Sequence, residues 1–204
     1  MKKESLSQDR MLKAAELLFS ERGFAAVTLR DITNTLGLTH AALYYHFPGG
    51  KEELFIAVTR HSILQHGQSL AGILADACCD IRAQLHRIAE WFLSQPPLDL
   101  IRMSQSDMPV LKPEEARRLM ELLQEQILLR IQMALFKADE VGFIRCENPA
   151  LVGSALVGMV ESFHSMPEFA VRNSRAEMAK EMIDIVLRGL EYRGFETTKN
   201  VEES

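Results

Sequence analysis

The chain has 204 residues, 47% of them hydrophobic, and a formal net charge of −5. This length allows one large or two small domains with a substantial apolar core. Three cysteines, two of them adjacent at Cys78 and Cys79, do not suggest a disulfide framework and favour a reducing compartment. No apolar run approaches the ~18 residues of a membrane span, and no apolar segment follows the basic start. We therefore expect a cytoplasmic protein that does not enter a membrane.

Charge is unevenly distributed along the sequence. Residues 1–51 carry a net charge of +2, and the remaining 153 residues carry −7. A mildly basic end on an acidic chain favours a protein that binds a polyanion through a small local surface. A split of this size also arises by chance, so the side chains have to decide.

Apolar residues recur at helical spacing almost throughout, which predicts an all-α fold. The first helix is expected to begin at Asp9 and to end at Gly23. A second helix is expected from Thr28, because Thr28 and Asp31 have the spacing of a capping box. Gly37 ends this short helix. Together these elements predict a helical N-terminal region.

A third short helix is expected to begin after Thr39 and to end at Pro48-Gly49-Gly50. Two short helices joined by a tight turn that contains glycine, after a longer helix, are typical of a helix-turn-helix unit. The same spacing also fits an ordinary helical hairpin. The residues on the outer face must distinguish the two.

Longer and more apolar helices follow from Lys51, with prolines between them. We predict an N-terminal domain of residues 1–50 and a larger helical domain of residues 51–204, joined rigidly through one shared helix. The predicted helices of the second domain cover residues 51–75, 80–94, 98–107, 113–139, 148–165 and 174–192.

The third helix has two contrasting faces. Leu43 and Phe47 lie four residues apart and are expected to point inward. The other face carries small and aromatic side chains with hydrogen-bonding tips and no carboxylate, which suits contact with phosphates and base edges. The alternative is that Tyr44 and Tyr45 are half-buried packing residues and His46 a solvated helix end.

Residues 10–54 resemble the DNA-binding domain of the tetracycline-repressor (TetR) family of bacterial regulators. The matching residues are Leu12, Ala14, Ala15, Leu18, Phe19, Gly23, Phe24, Thr28, Arg30, Asp31, Ile32, Gly37, Leu38, Thr39, Leu43, Tyr44, His46, Phe47, Lys51, Glu52 and Leu54. The chain departs from many members by having three residues rather than two between Phe47 and Lys51.

This resemblance implies a role for each matching residue on double-stranded DNA. The residues implied to touch phosphates are Thr28, Thr39, Tyr44, His46 and Lys51. The residues implied to face base edges in the major groove are His40, Ala41, Ala42 and Tyr45.

The resemblance also implies a homodimer on a palindromic operator, since one helix-turn-helix reads only a few base pairs. The last two helices are the expected interface, and the alternative is that they only complete the core of one subunit. The interface residues expected are Gly153, Leu156, Val157, Val160, Met178, Met182, Ile183, Val186 and Leu190.

A small-molecule pocket is implied among the central helices, and methionines and aromatic residues favour a largely apolar effector. Methionine and aromatic residues at helical spacing are, however, more often plain core residues. The candidate pocket residues are Trp91, Phe92, Met103, Met108, Met120, Met133, Met159 and Phe163.

The leading functional hypothesis is a dimeric transcriptional repressor that a small molecule releases from its operator. An activator, a ligand-independent regulator, a helical-bundle enzyme and a protein adaptor remain as alternatives. No catalytic motif or metal-ligand spacing is present in the sequence, so we expect neither an enzyme nor a metal or cofactor site. Adjacent cysteines rarely bridge each other, so redox sensing at Cys78 and Cys79 is not favoured.

Overall fold

The computed structural model describes residues 2–76 and 80–190, with the backbone alone for residues 2–7 and 9. Cys78, Cys79 and the end of the last predicted helix lie outside the described residues. Within this part of the chain the structure is all-α and contains no strand. None of the helices described is long and apolar enough to span a membrane.

Ten α-helices follow one another in the described ranges. They are α1 (Lys2–Ala26), α2 (Leu29–Leu36), α3 (His40–His46), α4 (Gly50–Leu74), α5 (Ile81–Ser94), α6 (Leu100–Arg102), α7 (Pro113–Leu123), α8 (Leu129–Glu140), α9 (Pro149–Ser162) and α10 (Arg175–Leu190). A π-helical turn, Met103–Asp107, follows α6, and another, Gln124–Leu128, joins α7 to α8. The helix predicted over 113–139 is therefore one continuous helical segment.

The short helices begin and end as their capping residues predict. The hydroxyl of Thr28 accepts from the Asp31 N–H, and the Asp31 carboxylate accepts from the Thr28 N–H at 2.8 Å, which completes the capping box. Gly37 ends α2 in the left-handed region with φ of 63°. The hydroxyl of Thr39 accepts from the Ala42 N–H and caps α3. The turn geometry of the predicted helix-turn-helix unit is thereby confirmed.

The first helix differs from its prediction at its start, which is Lys2 rather than Asp9. The backbone leaves the helical conformation at Gly23, where the helix is predicted to end, and a further helical turn runs to Ala26. Gly23 has φ of 76° and ψ of 168°, a backbone conformation that is essentially restricted to glycine and costs other residues of order 1–3 kcal/mol. An added Cβ would also lie 3.2 Å from the Cδ atom of Arg102. This position therefore requires glycine for both its backbone and its close neighbour.

Two hydrophobic clusters share α4. The N-terminal cluster joins α1, α2 and α3 to Leu54, Phe55 and Val58 of α4 and to residues between Met103 and Leu119. The second cluster begins at Ile63 of the same helix and gathers α5, α8, α9 and α10. A shared helix is what the sequence predicts, whereas the division at residue 50 stays a prediction. The N-terminal core itself continues to Val58.

Candidate nucleic-acid interface and effector cavities

The inward face of α3 anchors the helix to the N-terminal cluster. Leu43 is fully buried and Phe47 is 2% exposed, and both pack in the cluster that contains Ile32 and Val27. Burying two large apolar side chains from one short helix fixes which face points outward. The predicted orientation of α3 is confirmed.

The outward face of α3 carries the residues expected to meet DNA. Tyr45 is 72% exposed and Tyr44 is 48% exposed, so neither ring is wedged into the interior. His40 and Ala41 are exposed as well, while Ala42 is half-buried. The helix has no carboxylate from end to end. This face therefore presents aromatic rings and polar tips to solvent without repelling a polyanion.

Neighbouring contacts hold two of these rings in place. The Tyr45 and His46 rings meet edge to face with centroids 5.2 Å apart. An ideal Cβ at Gly50 would lie 3.5 Å from the Cε1 atom of Tyr44, so the Tyr44 ring passes close to the start of α4. These contacts limit the rotamers of the aromatic side chains before any partner arrives, which reduces the entropy cost of binding.

The hydroxyl of Thr28 is already engaged. It donates to Asp31 Oδ2 at 2.6 Å, and this bond and the one from the Thr28 backbone hold the pKa of Asp31 below its ordinary value. Any anion contact at Thr28 therefore falls to the N–H groups in the first turn of α2, not to the hydroxyl proton. Arg22 and Arg30, which the residue roles above do not include, are exposed and act electrostatically on Asp31.

The phosphate role implied for Lys51 is not supported by its geometry. Its Nζ donates to the carbonyl oxygens of Phe24 at 2.7 Å and Val27 at 2.9 Å, and it lies 4.2 Å from the Phe24 ring centroid. Desolvation lowers the pKa of this ammonium group. The ammonium is drawn to the partial negative charge at the end of α1. In the structure Lys51 therefore fastens α1 to α4, and its contact with a phosphate stays a prediction.

A second polar junction joins the two clusters and was not anticipated. The Arg102 guanidinium donates to the carbonyl oxygens of Phe19 and Ser20 at 3.1 and 2.9 Å. Buried Asp107 accepts from the Phe24 N–H at 3.0 Å and lies 3.5 Å from Arg102 Nε. Residues 99–107 are therefore fastened to the end of α1 by hydrogen bonds with its main chain. Sequence spacing held no sign of this junction, because its partners lie more than 80 residues apart.

The residues predicted to line one effector pocket do not gather in one place. Met103 and Met108 belong to the N-terminal cluster rather than to the bundle interior, and Met120 is 39% exposed. Phe92 and Phe163 are buried core residues, while Trp91 and Met159 pack at the edge of the second cluster. Met133 lines a cleft. The prediction of one pocket formed by these eight residues is therefore wrong, because helical apolar spacing marks burial but not the cavity a side chain faces.

Two cavities of ligand size are present among the described residues. The distal cleft, of about 680 Å³, lies between the end of α4, the start of α5 and α8, and includes Met133, Arg130 and Lys137. The junction cavity, of about 530 Å³, lies between the end of α1, residues 97–102 and α9, and includes Arg102 and Glu161. Only the second cavity touches both the DNA-binding helices and the bundle.

Glu161 is a buried acid on the wall of the junction cavity. Its side chain is 8% exposed, and Oε2 accepts from the Leu98 N–H at 2.9 Å and the Asp99 N–H at 3.3 Å. Oε1 has no hydrogen-bond partner among the described residues. Burial raises the pKa of this carboxyl to about 7. A glutamate in an amphipathic helix is ordinarily read as a surface residue, so sequence reasoning missed it as a cavity group.

A buried histidine lies deeper in the bundle. His66 accepts from Trp91 Nε1 at 3.0 Å and stacks on the Phe92 ring with centroids 4.8 Å apart. Burial lowers the pKa of His66 to about 4, so the ring is neutral near pH 7. His66 therefore completes a packed core and is not a charged ligand anchor. No group of three or more metal-ligating side chains occurs in the part of the chain that the structure describes.

The expected dimer interface is largely inside the subunit. Gly153, Leu156, Val157, Val160 and Ile183 are buried against their own chain, so their assignment to the interface is wrong. Met178, Met182, Val186 and Leu190 are half-buried. The exposed face of α9 instead presents Leu151, Ala155 and Gly158, and α10 presents Ile185, which is 67% exposed.

Comparison with known proteins identifies the N-terminal region. Residues 11–58 match the model of the family described as bacterial regulatory proteins, tetR family. The HTH-type transcriptional regulator LmrA of Bacillus subtilis is 36% identical over 74 residues, which are 36% of this chain and 39% of LmrA. The HTH-type transcriptional repressor NicS of Pseudomonas putida is 25% identical over 198 residues, which cover 90% of this chain and 92% of NicS.

A solved structure extends the similarity to the whole fold. The TetR-family regulator PfmR from Thermus thermophilus superposes with a TM-score of 0.69 and 26% identity, covering 90% of this chain and 100% of PfmR. Its similarity spans both hydrophobic clusters, and the relatives are named as transcriptional regulators rather than enzymes. With a helix-turn-helix that matches the family model over residues 11–58, followed by a helical domain of matching fold, the comparisons support a TetR-family transcriptional regulator.

Proposed function

We propose that this protein is a dimeric transcriptional repressor that binds a palindromic operator and is released from it by a small molecule. The observation that carries the proposal is the exposed, carboxylate-free face of α3 above buried Leu43 and Phe47. Family membership supports it, and NicS is named as a repressor. It would act in the cytoplasm, where bacterial DNA is located.

The contacts proposed for DNA follow from the exposed positions. Thr39, Tyr44 and His46 reach phosphate oxygens, while His40 and Tyr45 face base edges in the major groove. Ala41 and Ala42 have small side chains, so the helix can approach the groove floor closely. Neutralising two or three phosphates per subunit would make the affinity fall roughly tenfold or more across physiological changes in salt.

A dimer is needed for specificity, because one recognition helix reads only a few base pairs. The exposed face of α9 is the best candidate surface, since Ala155 and Gly158 allow a partner helix to approach closely. Leu151 and Ile185 would add apolar area at its edges. Four helices, α9 and α10 from each subunit, would then pack as a bundle.

Release by a ligand requires that the ligand bind two conformations of the dimer with different affinity. The Arg102 junction supports such coupling, because it ties residues 99–107 to the end of α1. A largely apolar effector fits the cavity walls, which include Leu100 and Ile101 in one cavity and Met133 and Phe143 in the other.

The proposal is tested by selecting bound sequences from a random DNA pool with the full-length protein. We expect a palindrome whose half-sites lie about one helical turn, or a multiple of it, apart. Replacing Tyr44 by alanine should weaken binding to all sequences, whereas changes at His40 should alter the preferred sequence. Introducing a carboxylate with Ala41→Glu should reduce operator affinity at least about 100-fold by repelling the DNA.

A matched control places the same charge away from the proposed interface. Glu125 already lies exposed in the distal cleft, so Leu129→Glu, one turn further on, adds an acid on that exposed surface. We expect its operator affinity to stay within about twofold of the parent value. Unaltered gel shifts with Tyr44→Ala, a His40 variant and Ala41→Glu would refute the assigned roles. Transcription from a reporter with the selected operator then distinguishes repression from activation.

A further inference from the structure

We propose that the junction cavity is shared between two subunits, because a second copy of this chain packs on the exposed face of α9 and covers the open side of the cavity. The inference rests on the dimer of the proposed function and adds that the cavity is complete only in that dimer. The face concerned, which we term the α9 seam, consists of Leu151, Ala155, Gly158 and Ser162.

Helix α9 has no charge on its surface. Its 14 residues, Pro149–Ser162, include one ionisable side chain, Glu161, and that carboxyl is buried. A helix that lacks a charged face is typical of an element buried on all sides. In the single chain, however, the α9 seam is exposed, and Leu151 is 65% exposed. The seam therefore lacks the cover that its composition predicts.

The spacing of the α9 seam indicates that this cover is another helix. Its members follow one another at intervals of four, three and four residues, which is the repeat by which one helix packs along another. Helix α10 repeats these intervals with Met178, Met182, Ile185 and Gly189, of which Ile185 is 67% exposed. Two such seams on consecutive helices can pack on the same two seams of a second copy, as a two-fold interface requires.

Gly158 indicates that the second helix approaches closely. Glycine inside a helix destabilises it relative to alanine. In α4 such a residue has a reason within the subunit, since a Cβ at Gly67 would lie 2.7 Å from Gln126 Oε1. An added Cβ at Gly158 would meet no neighbouring group of the described residues within 4 Å. A partner helix accounts for Gly158, because small residues let two helix axes come within about 8 Å.

The α9 seam and the junction cavity meet. Gly158 and Ser162 belong to the seam and also line the cavity, together with Ser165 in the turn after α9. The opposite wall contains residues 97–102, where Ile101 is 70% exposed. A helix packed on the seam has its axis about 8–10 Å from that of α9, so it also closes the side of the cavity next to the seam. In the dimer, the second subunit therefore supplies one wall of the cavity.

A shared cavity connects an effector directly to the spacing of the subunits. A molecule in it touches α1 at Ser20 and Glu21, residues 97–102 and α9 of one subunit, and also the helix of the other subunit. Because the molecule bridges the two copies, its affinity depends on their separation. By linkage, its binding changes the separation of the recognition helices and so the operator affinity.

The interface is tested by analytical ultracentrifugation of the full-length protein and two glycine variants. Gly158→Leu places a large side chain in the middle of the α9 seam and should weaken dimerisation at least about 100-fold. Gly72→Leu is the matched control, because Gly72 is also exposed, helical and without a neighbour within 4 Å, but lies in α4 outside both seams. We expect its dimer affinity to stay within about twofold of the parent value.

The cover over the cavity is measured by the rate at which a maleimide labels a cysteine at its rim. Ile101→Cys lies on the cavity wall, whereas Val110→Cys, at a position that is 55% exposed, lies outside the cavity. In the dimer we expect labelling at position 101 to be at least about tenfold slower than at position 110. Peptide masses identify the labelled position, so the native cysteines do not interfere.

Dilution provides a test without any change in α9. Below the dimer dissociation constant, Ile101→Cys should be labelled as fast as Val110→Cys, so a folding defect in Gly158→Leu does not remove the test. A parent protein that is monomeric, a dimer that Gly158→Leu does not weaken, or equal labelling of the two positions in the dimer would each overturn the shared cavity.

Operator binding is scored separately by gel shift. If the dimer binds its selected operator while position 101 is labelled freely, the shared cavity is wrong and the proposed function stands. If position 101 is protected in the dimer but no operator is selected, the proposed function is wrong and the shared cavity stands.

Discussion

The outer face of α3 and the junction cavity are built in opposite ways. The first is a surface formed by outward residues of one seven-residue helix, His40–His46. The second is a hollow whose walls come from segments as distant as Ser20 and Ser165. A local surface is encoded in one stretch of sequence, whereas a cavity exists only after distant helices have packed. The two sites therefore differ in how far their residues also support the fold.

The largest effect should separate the two faces of α3. Leu43→Ala removes a fully buried side chain from the N-terminal cluster and should lower the free energy of unfolding by about 3 kcal/mol. Tyr45→Ala removes a ring that is 72% exposed and should change stability by less than about 0.5 kcal/mol while weakening operator binding. Urea unfolding and gel shifts on both variants measure this. Equal losses of stability would show that Tyr45 is a packing residue.

In the junction cavity, Glu161→Gln should alter stability in a pH-dependent way. The folded-state pKa of about 7 lies above the ordinary value of 4.5, so the stabilisation from the protonated acid is complete below pH 4.5 and is lost as pH rises through 7. The uncharged glutamine does not suffer this loss. The variant should gain about 3 kcal/mol over the parent at pH 8.5 and little at pH 4.5. Denaturation at both pH values measures the difference, and a pH-independent difference would contradict the buried-acid assignment.

A smaller effect is expected where the two regions meet. Gly23→Ala places a Cβ in a backbone conformation with φ of 76° and 3.2 Å from Arg102 Cδ. Gly142 has the same φ but no neighbour within 4 Å, so Gly142→Ala measures the cost of a positive φ without a crowded neighbour. We expect about 1 kcal/mol for Gly142→Ala and about 2 kcal/mol for Gly23→Ala in thermal unfolding. Identical losses would show that Arg102 is not held against the helix.

The smallest expected effect concerns Lys51. Lys51→Met removes the donor to the carbonyls of Phe24 and Val27 and should cost about 1 kcal/mol of stability. Because main-chain carbonyls hold this ammonium in the structure, we expect the salt dependence of operator affinity not to change. A slope of log affinity against log salt that is shallower by about 0.9 would restore the phosphate contact.

Features set by neighbours in sequence were predicted well. The capping box at Thr28 and Asp31, the glycine that ends α2 and the outward tyrosines depend on spacings of a few residues. The long helices were also placed closely, since apolar periodicity and proline positions mark them. Such features are determined by residues close in sequence, so the local sequence is sufficient to predict them.

Features set by tertiary packing were not predicted well from the sequence. Helical spacing identified Val157 and Ile183 as buried, but it contains no information on whether a partner or the same chain buries them. Lys51 points to the end of α1 because two carbonyls there attract it, and only the packing of α4 reveals that. Glu161 was not predicted as a buried group, because its hydrogen bonds from the N–H groups of Leu98 and Asp99 join positions more than 60 residues apart.

Arg102 holds α1 through main-chain oxygens of Phe19 and Ser20, not through their side chains. These hydrogen bonds do not depend on which side chains occupy positions 19 and 20, provided that a glycine remains at position 23. The recognition helix can therefore be exchanged in principle without loss of these contacts. A chimaera whose recognition helix prefers another operator should still be released from that operator by the original effector.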